Sequence, residues 1–223
     1  DAAGIGAEII VKALSRPELY ETTIPVVYGD AAPMRDAIRF TGHSHMQLRC
    51  LTDCSEAEGV FGCIDLVDLN LLKDGDWTYK TNQAKSGDAS FQYVVRAIQD
   101  AMAQKVDAVV TAPISKEAIH MGGHNYSGHT EIFADYTHTK NYGMLLASNT
   151  LKVIHVTTHV SMREACDKIT RERVLNTIKL AQLGMELLGF EHPRIAVAGF
   201  NAHCSENGLF GDQEALGIIP AVE

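Results

Sequence analysis

Val106-Asp107-Ala108-Val109-Val110-Thr111, then Ala112-Pro113-Ile114, then Ser115-Lys116-Glu117, reads as a short apolar strand, a polar turn and a helix start. Strand, turn and helix in that order form the repeating unit of an α/β protein, so the expected fold class is α/β. The surroundings repeat the pattern. Upstream, residues 87–104 place Phe91, Val94, Val95, Ile98 and Met102 on one apolar helical stripe. Residues 24–28 predict a buried strand, 31–40 a helix and 60–69 one or two strands. Residues 7–14 predict a first helix, with Glu8 in its first turn and Pro17 beyond its end. Gly4-Ile5-Gly6 before it is permissive backbone whose NH groups could face an anion, though a plain tight turn explains it as well. Downstream, residues 142–147 and 151–156 predict a hairpin across Ser148-Asn149-Thr150. Residues 171–188 predict a second long helix closed by Gly189, and residues 195–199 a further strand.

The chain has 223 residues, 46% of them hydrophobic and 21% charged, enough for a sizeable core in one or two domains. No apolar run approaches the roughly eighteen residues a membrane span needs, and no signal peptide opens the sequence, so the expectation is a cytoplasmic protein without membrane association. A formal charge of −9 with scattered Lys and Arg excludes a basic nucleic-acid surface; an anionic substrate must be met by a local pocket or a metal. Cys50, Cys54, Cys63, Cys166 and Cys204 form no CxxC pair and no disulfide framework, and reduced thiols are expected. The sequence starts in loop-like residues without a preceding strand and stops within the opening of a helix, which reads as a fragment of a longer protein.

Three polar clusters carry the candidate chemistry. Thr157-Thr158-His159 closes one apolar run and Asn201-Ala202-His203 closes another. In open parallel α/β sheets ligands bind outside the carboxyl ends of the strands, so two strand-end histidines suggest one site, where neutral imidazoles would bind a metal. The alternative is a pair of ordinary loop histidines. The third cluster, Gly123-His124-Asn125-Tyr126-Ser127-Gly128-His129-Thr130-Glu131, offers an imidazole and a hydroxyl at a helix start, suited to a phosphate or carboxylate. Ser127 or Thr130 could equally cap that helix. Lys116 is a candidate for phosphate contact or proton transfer, and also reads as an exposed helix-start lysine. His155, inside an apolar run, reads as a satisfied core histidine, and Cys204 as a small buried residue beside His203.

Taken in order, Asp1-Ala-Ala-Gly-Ile-Gly-Ala-Glu8, Thr111-Ala-Pro-Ile-Ser-Lys116, Gly128-His-Thr-Glu131, Thr157-Thr-His159 and Asn201-Ala-His203 resemble the 4-hydroxythreonine-4-phosphate dehydrogenase family. The stretches 123–131 and 206–212 are more similar to its branch acting on 4-phospho-D-threonate and 4-phospho-D-erythronate. The resemblance implies a fold like isocitrate and isopropylmalate dehydrogenases: two α/β/α domains around a cleft, paired as a homodimer. Residues 1–134 would form the first domain and 135–223 the start of the second, truncated at the C-terminus and slightly at the N-terminus. His159 and His203 match metal ligands, and His129 and Thr130 match substrate-binding positions. A third ligand histidine would come across the dimer interface from a segment absent here, as would much of the nicotinamide site, so no cofactor-binding residue is assigned. The family usually has proline at positions 2, 7 and 202 and alanine-glycine at 204–205, where this chain has Ala2, Ala7, Ala202, Cys204 and Ser205.

The expected activity is oxidation of the substrate's C3 hydroxyl by NAD or NADP, followed by loss of CO2. A divalent ion, zinc first, with magnesium, manganese and cobalt as alternatives, would act as Lewis acid. 4-Phospho-D-threonate or erythronate would give dihydroxyacetone phosphate; 4-phosphohydroxy-L-threonine would give 3-amino-2-oxopropyl phosphate. The alternatives are a phosphate acyltransferase-like enzyme, a non-catalytic phosphate-ligand-binding protein, and an inert α/β domain.

Overall fold

Ile64, Asp65, Leu66 and Val67 are buried in succession along one strand, the signature of a central parallel strand covered on both faces. That strand, β3 (Cys63–Asp68), lies between β1 (Val26–Gly29) and β2 (Gln47–Leu51), and both neighbours run parallel to it. The computed structural model describes residues 1–223, which form two compact units, Asp1–Thr139 and Lys140–Glu223.

In the first unit α1 (Gly6–Leu14) and α2 (Ala31–Phe40) cover one face of the sheet. Val11, Leu14, Met34, Ala37 and Ile38 pack there against Val27, Ile64 and Leu66. Successive strand residues alternate faces, so Val26, Tyr28, Leu51 and Val67 point the other way, into a second cluster with Cys54 and Val106. α3 (Ala84–Met102) lies on β1, and Tyr28 Oη donates to Asp100 Oδ2 at 3.1 Å. Asp30, at the carboxyl end of β1, accepts from the NH groups of Leu71 and Leu72 and from Tyr93 Oη, tying that strand end to α3.

The helices at 7–14, 31–40 and 87–104 and the strand at 60–69 form within a few residues of their expected bounds. β2 at 47–51 was not anticipated, because Arg49 interrupts its apolar pattern. Its guanidinium meets Asp65, only 1% exposed in the central strand, which also accepts from Glu58 N and Gly59 N. Burial pushes the Asp65 carboxyl up, but the hydrogen bonds from Arg49, Gly59 and Glu58 outweigh it and hold the group below its ordinary range.

The run at 106–111 joins no ladder, which corrects the strand expectation. Val106 packs on the second cluster while Val110 is 95% exposed. Apolar composition favours extended backbone, but a strand needs a partner's backbone groups, and no segment presents them here.

In the second unit β4 (Leu145–Ala147) and β5 (Lys152–Ile154) form the expected hairpin, closed by Ser148 N donating to Leu151 O at 2.8 Å. Next come α6 (Met162–Lys168), opened by a Ser161/Glu164 capping box, and α7 (Arg171–Leu187), capped by Thr170. Gly189 follows α7 at φ +88°, the left-handed stop that glycine serves. Val174, Ile218 and Ala221 form the core with Val156, Val197 and Phe200 around them. Residues 195–199 contribute Val197 to this core without strand pairing, the second correction. No helix is long and apolar enough to cross a membrane.

Candidate active site

The stretch that opens at Val106 leads into a helix start fixed by Ser115. Its Oγ accepts from Ala118 N and so caps α4, residues Lys116–Met121. The same hydroxyl donates to Asn82 Oδ1 at 2.7 Å, while Asn82 Nδ2 donates to Glu117 Oε2 at 2.7 Å. The start of α4 is thus fixed to the segment before α3, with Lys116 exposed at its first position.

α5 (His129–Tyr136) begins with the two residues proposed for substrate. Its N-cap is Gly128 in extended backbone, with no side chain capping the helix, so neither Ser127 nor Thr130 has the capping role weighed for them. The first-turn NH groups that such a cap would occupy are left for another partner. A methyl group placed on Gly128 would stand 3.8 Å from Lys116 Cε and 3.7 Å from Glu131 Oε2. Lys116 therefore lies beside the start of α5, together with His129, Thr130 and Glu131.

His129 Nε2 is buried and has no hydrogen-bond partner in the protein. Burial lowers the pKa of this imidazole, favouring the neutral ring near pH 7. An unmet buried nitrogen costs about 1–3 kcal/mol, a cost removed when a ligand atom meets it. A separate cleft of about 720 Å3 in the same unit is lined by Gly4, Ile5, Tyr79, Asn82, Pro113 and Ser115, among others. It reaches Ser115 but not Lys116, His129 or Thr130.

The second unit holds His159 and His203. Both rings are exposed and both backbones are left-handed, at φ +55° and +52°. The parallel-sheet argument that picked them out is not realised: β5 pairs antiparallel, and the run before Asn201 is unpaired. What positions His203 is Glu214. This carboxylate, 4% exposed, accepts from Phe200 N at 2.8 Å, Asn201 N at 2.6 Å and Asn201 Nδ2 at 2.8 Å. Burial pushes its pKa up, but those donors outweigh the penalty and hold the group below its ordinary range. No signal in the sequence linked Glu214 to Asn201 thirteen residues earlier.

His155 is exposed just past β5, which overturns its reading as a core histidine. Cys204 is also exposed as a residue, although its sulfur lies against Gly199. No three His, Cys, Asp or Glu side chains converge as a metal-binding group.

The first unit thus combines a helix start without a side-chain cap and a buried imidazole nitrogen without a partner. Residues 21–223 match the family described as pyridoxal phosphate biosynthetic protein PdxA, and the chain belongs to that family. It is 38% identical over 223 residues to a putative D-threonate 4-phosphate dehydrogenase of Clostridium botulinum, covering 100% of this chain and 66% of the relative. It is 42% identical over 228 residues to the D-threonate 4-phosphate dehydrogenase of Pectobacterium atrosepticum, covering 100% and 68%. The crystal structure of a 4-hydroxythreonine-4-phosphate dehydrogenase from Klebsiella pneumoniae superposes with a TM-score of 0.89 at 40% identity, covering 100% of this chain and 67% of that one. The chain thus spans about two thirds of the length of these relatives.

Proposed function

We propose that the protein of which this chain forms part is a nicotinamide-dependent dehydrogenase that oxidises and decarboxylates a 4-phosphorylated 3-hydroxy acid. The observation that carries this is His129 Nε2, buried and unpartnered at the start of α5 beside Lys116, in a chain 42% identical to a D-threonate 4-phosphate dehydrogenase. We take 4-phospho-D-threonate or its erythronate epimer as substrate, because the curated relatives named above act, by name, on D-threonate 4-phosphate. 4-Phosphohydroxy-L-threonine is the alternative, supported by the name of the Klebsiella structure.

His129, kept neutral, presents Nε2 to a substrate oxygen, and Thr130 offers a hydroxyl donor from the same turn. Lys116 either meets the phosphate or takes the C3 hydroxyl proton. The C3 hydrogen leaves with its electron pair as hydride to NAD or NADP, giving a β-keto acid. The bond from C2 to the carboxylate then breaks, CO2 departs, and the electron pair left on C2 is protonated.

The resemblance also expects a divalent metal. No three ligating side chains of this chain converge, so it can supply at most two positions of a shell. We assign those two to His159 and His203, exposed imidazoles of one unit, with the third ligand from the later segment of a partner subunit. Zinc, or magnesium, manganese or cobalt, would when bound polarise the C3 oxygen as a Lewis acid. The isocitrate dehydrogenase-like arrangement of two α/β/α domains, homodimerisation and a cytoplasmic location belong to the same reading.

The test is the full-length protein assayed for NAD(P)H formation with 4-phospho-D-threonate, 4-phospho-D-erythronate and 4-phosphohydroxy-L-threonine, each with the four metals. Turnover of at least one is expected, and none under any combination would sink the proposal. Metal content of His159→Ala, measured on the folded protein, should fall. Unchanged content removes His159 from the shell.

A further inference from the structure

α5 carries both proposed substrate residues on a weak footing. It has eight residues, of which only Ile132 is fully buried. One buried anchor fixes where such a helix lies but not the angle at which the chain enters it. The entry is made by residues 123–128, and that loop is held through His124 and Tyr126.

His124 Nε2 lies 2.7 Å from Asp88 Oδ1 on α3, and a carboxylate only accepts, so Nε2 is the donor. The His124 ring stacks on Phe91, also on α3, with centroids 3.7 Å apart and planes 14° from parallel. Two residues on, Tyr126 stacks on the same Phe91 at 5.5 Å. The Tyr126 carbonyl accepts from His120 Nε2 at 2.9 Å, and Tyr126 Oη donates to Asp135 Oδ2 at 2.5 Å, which pushes its phenol up to about 12. Phe91 itself is buried in the cluster that receives Ile132. The loop and α5 are thus referenced to one buried ring.

We propose that His124, clamped by Asp88, is a positioning residue that sets the entry of α5 and so the placement of His129 and Thr130 on the substrate. This rests on the assignment of those two residues to the substrate made above. Without the hydrogen bond to Asp88 the loop keeps the two stacks on Phe91 and the contacts of Tyr126, but nothing fixes the direction in which the His124 ring points, and the entry of α5 about Ile132 is loosened. Displacements of about 1 Å at positioned groups cost up to a hundredfold in rate. The loss here is therefore expected to fall between about tenfold and a hundredfold in kcat/KM for the phosphorylated acid, with the KM for the nicotinamide cofactor unmoved.

The experiment uses the full-length protein and three variants. Asp88→Ala removes the acceptor at a helical position where alanine is well tolerated, and should show the loss with its melting temperature nearly unchanged. Asp88→Asn keeps an acceptor oxygen in place and should recover kcat/KM to within about threefold of the parent. His124→Phe keeps the stack on Phe91 but not the hydrogen bond, and should behave like Asp88→Ala. The inference is overturned if Asp88→Ala and His124→Phe keep parental kcat/KM. It is equally overturned if the loss tracks a fall in melting temperature, moves both KM values alike, or is not recovered by Asp88→Asn. A parent protein that turns over none of the substrates instead removes the functional proposal, so the two failures are distinguishable.

Discussion

Gly87→Ala should destabilise the first unit, although helix propensity taken alone predicts the opposite. Gly87 lies near the start of α3, and alanine in a helix is worth about 0.5–1 kcal/mol more than glycine. A Cβ at that position, however, would stand 1.8 Å from Ala118 O, 2.1 Å from Ala118 C and 2.7 Å from Ile119 N. All three atoms are backbone, so no side chain can rotate away. Ordinary contact requires α4 to retreat by about 1.5 Å, withdrawing the buried Ala118 and Ile119 from α3. Overpacking of this kind costs about 1–3 kcal/mol, and a rigid backbone obstacle belongs at the upper end. After the propensity gain, a net loss of about 2 kcal/mol remains, a drop of about 4–8 °C in melting temperature for a chain of this size. Urea melts followed by circular dichroism should show a lower midpoint with an unchanged slope. Since α4 opens with Lys116, turnover of the full-length protein should fall as well. Gly122→Ala tests the same crossing from the other helix, because its Cβ would stand 2.7 Å from Asp88 N. The two substitutions should be less than additive, since both force apart the same helix crossing. A Gly87→Ala variant as stable as its parent, or more so, refutes the close-crossing argument.

Asp65→Asn removes the charge that Arg49, Glu58 N and Gly59 N address, and should cost about 2 kcal/mol, read from denaturant midpoints. Because the folded pKa of Asp65 lies below its unfolded value, its stabilisation is complete above the unfolded value of about 4 and lost as pH falls through the folded value; acid titration of parent and variant should converge there. Ser205→Gly relieves a buried residue at φ +63° and should be neutral to about 1 kcal/mol stabilising, a gain reduced by the freedom glycine adds to the unfolded chain; a clear loss in the melting temperature counts against strain at that residue. Glu214→Ala strands the NH groups of Phe200 and Asn201 and should cost about 2–4 kcal/mol, with exchange of those two amides accelerated before that of α7.

The first unit was largely legible in the sequence because its elements announce themselves locally. Ala31–Phe40 carries its own periodicity, and Ser115 before Lys116 is a cap that needs no distant partner. β2 was illegible because Arg49 makes sense only once Asp65, sixteen residues away, is beside it. The opposite error at 106–111 and 195–199 has the same root: apolar residues signal burial, while strand assignment depends on a neighbour supplied by topology. In the candidate site, Lys116 and the turn opened by His129 were visible as helix starts. The His124–Asp88 clamp spans thirty-six residues and Glu214–Asn201 thirteen, and a single sequence contains no signal for either pairing.

The histidines at 159 and 203 share a property that their strand-end positions did not predict. Each has a left-handed backbone, and His203 opens a run in which Cys204, Ser205, Glu206 and Asn207 are left-handed too. For L-residues other than glycine this conformation costs about 1–2 kcal/mol apiece, so the run is held against its own preference. Asn201 and Phe200 hold its near end, locked by three hydrogen bonds to a buried carboxylate. Phe210 N and Gly208 N close its far end on Ser205 O. A stretch chosen only for stability would place glycine here. Retained strain of this kind concentrates where a side chain must be aimed, and the residue aimed by this run is the exposed imidazole of His203. The ligand role proposed for His203 thus has a braced, strained backbone behind it as well as a position after an apolar run. His159 has a single left-handed residue and no comparable brace, so the metal content of His159→Ala tests it where backbone geometry does not.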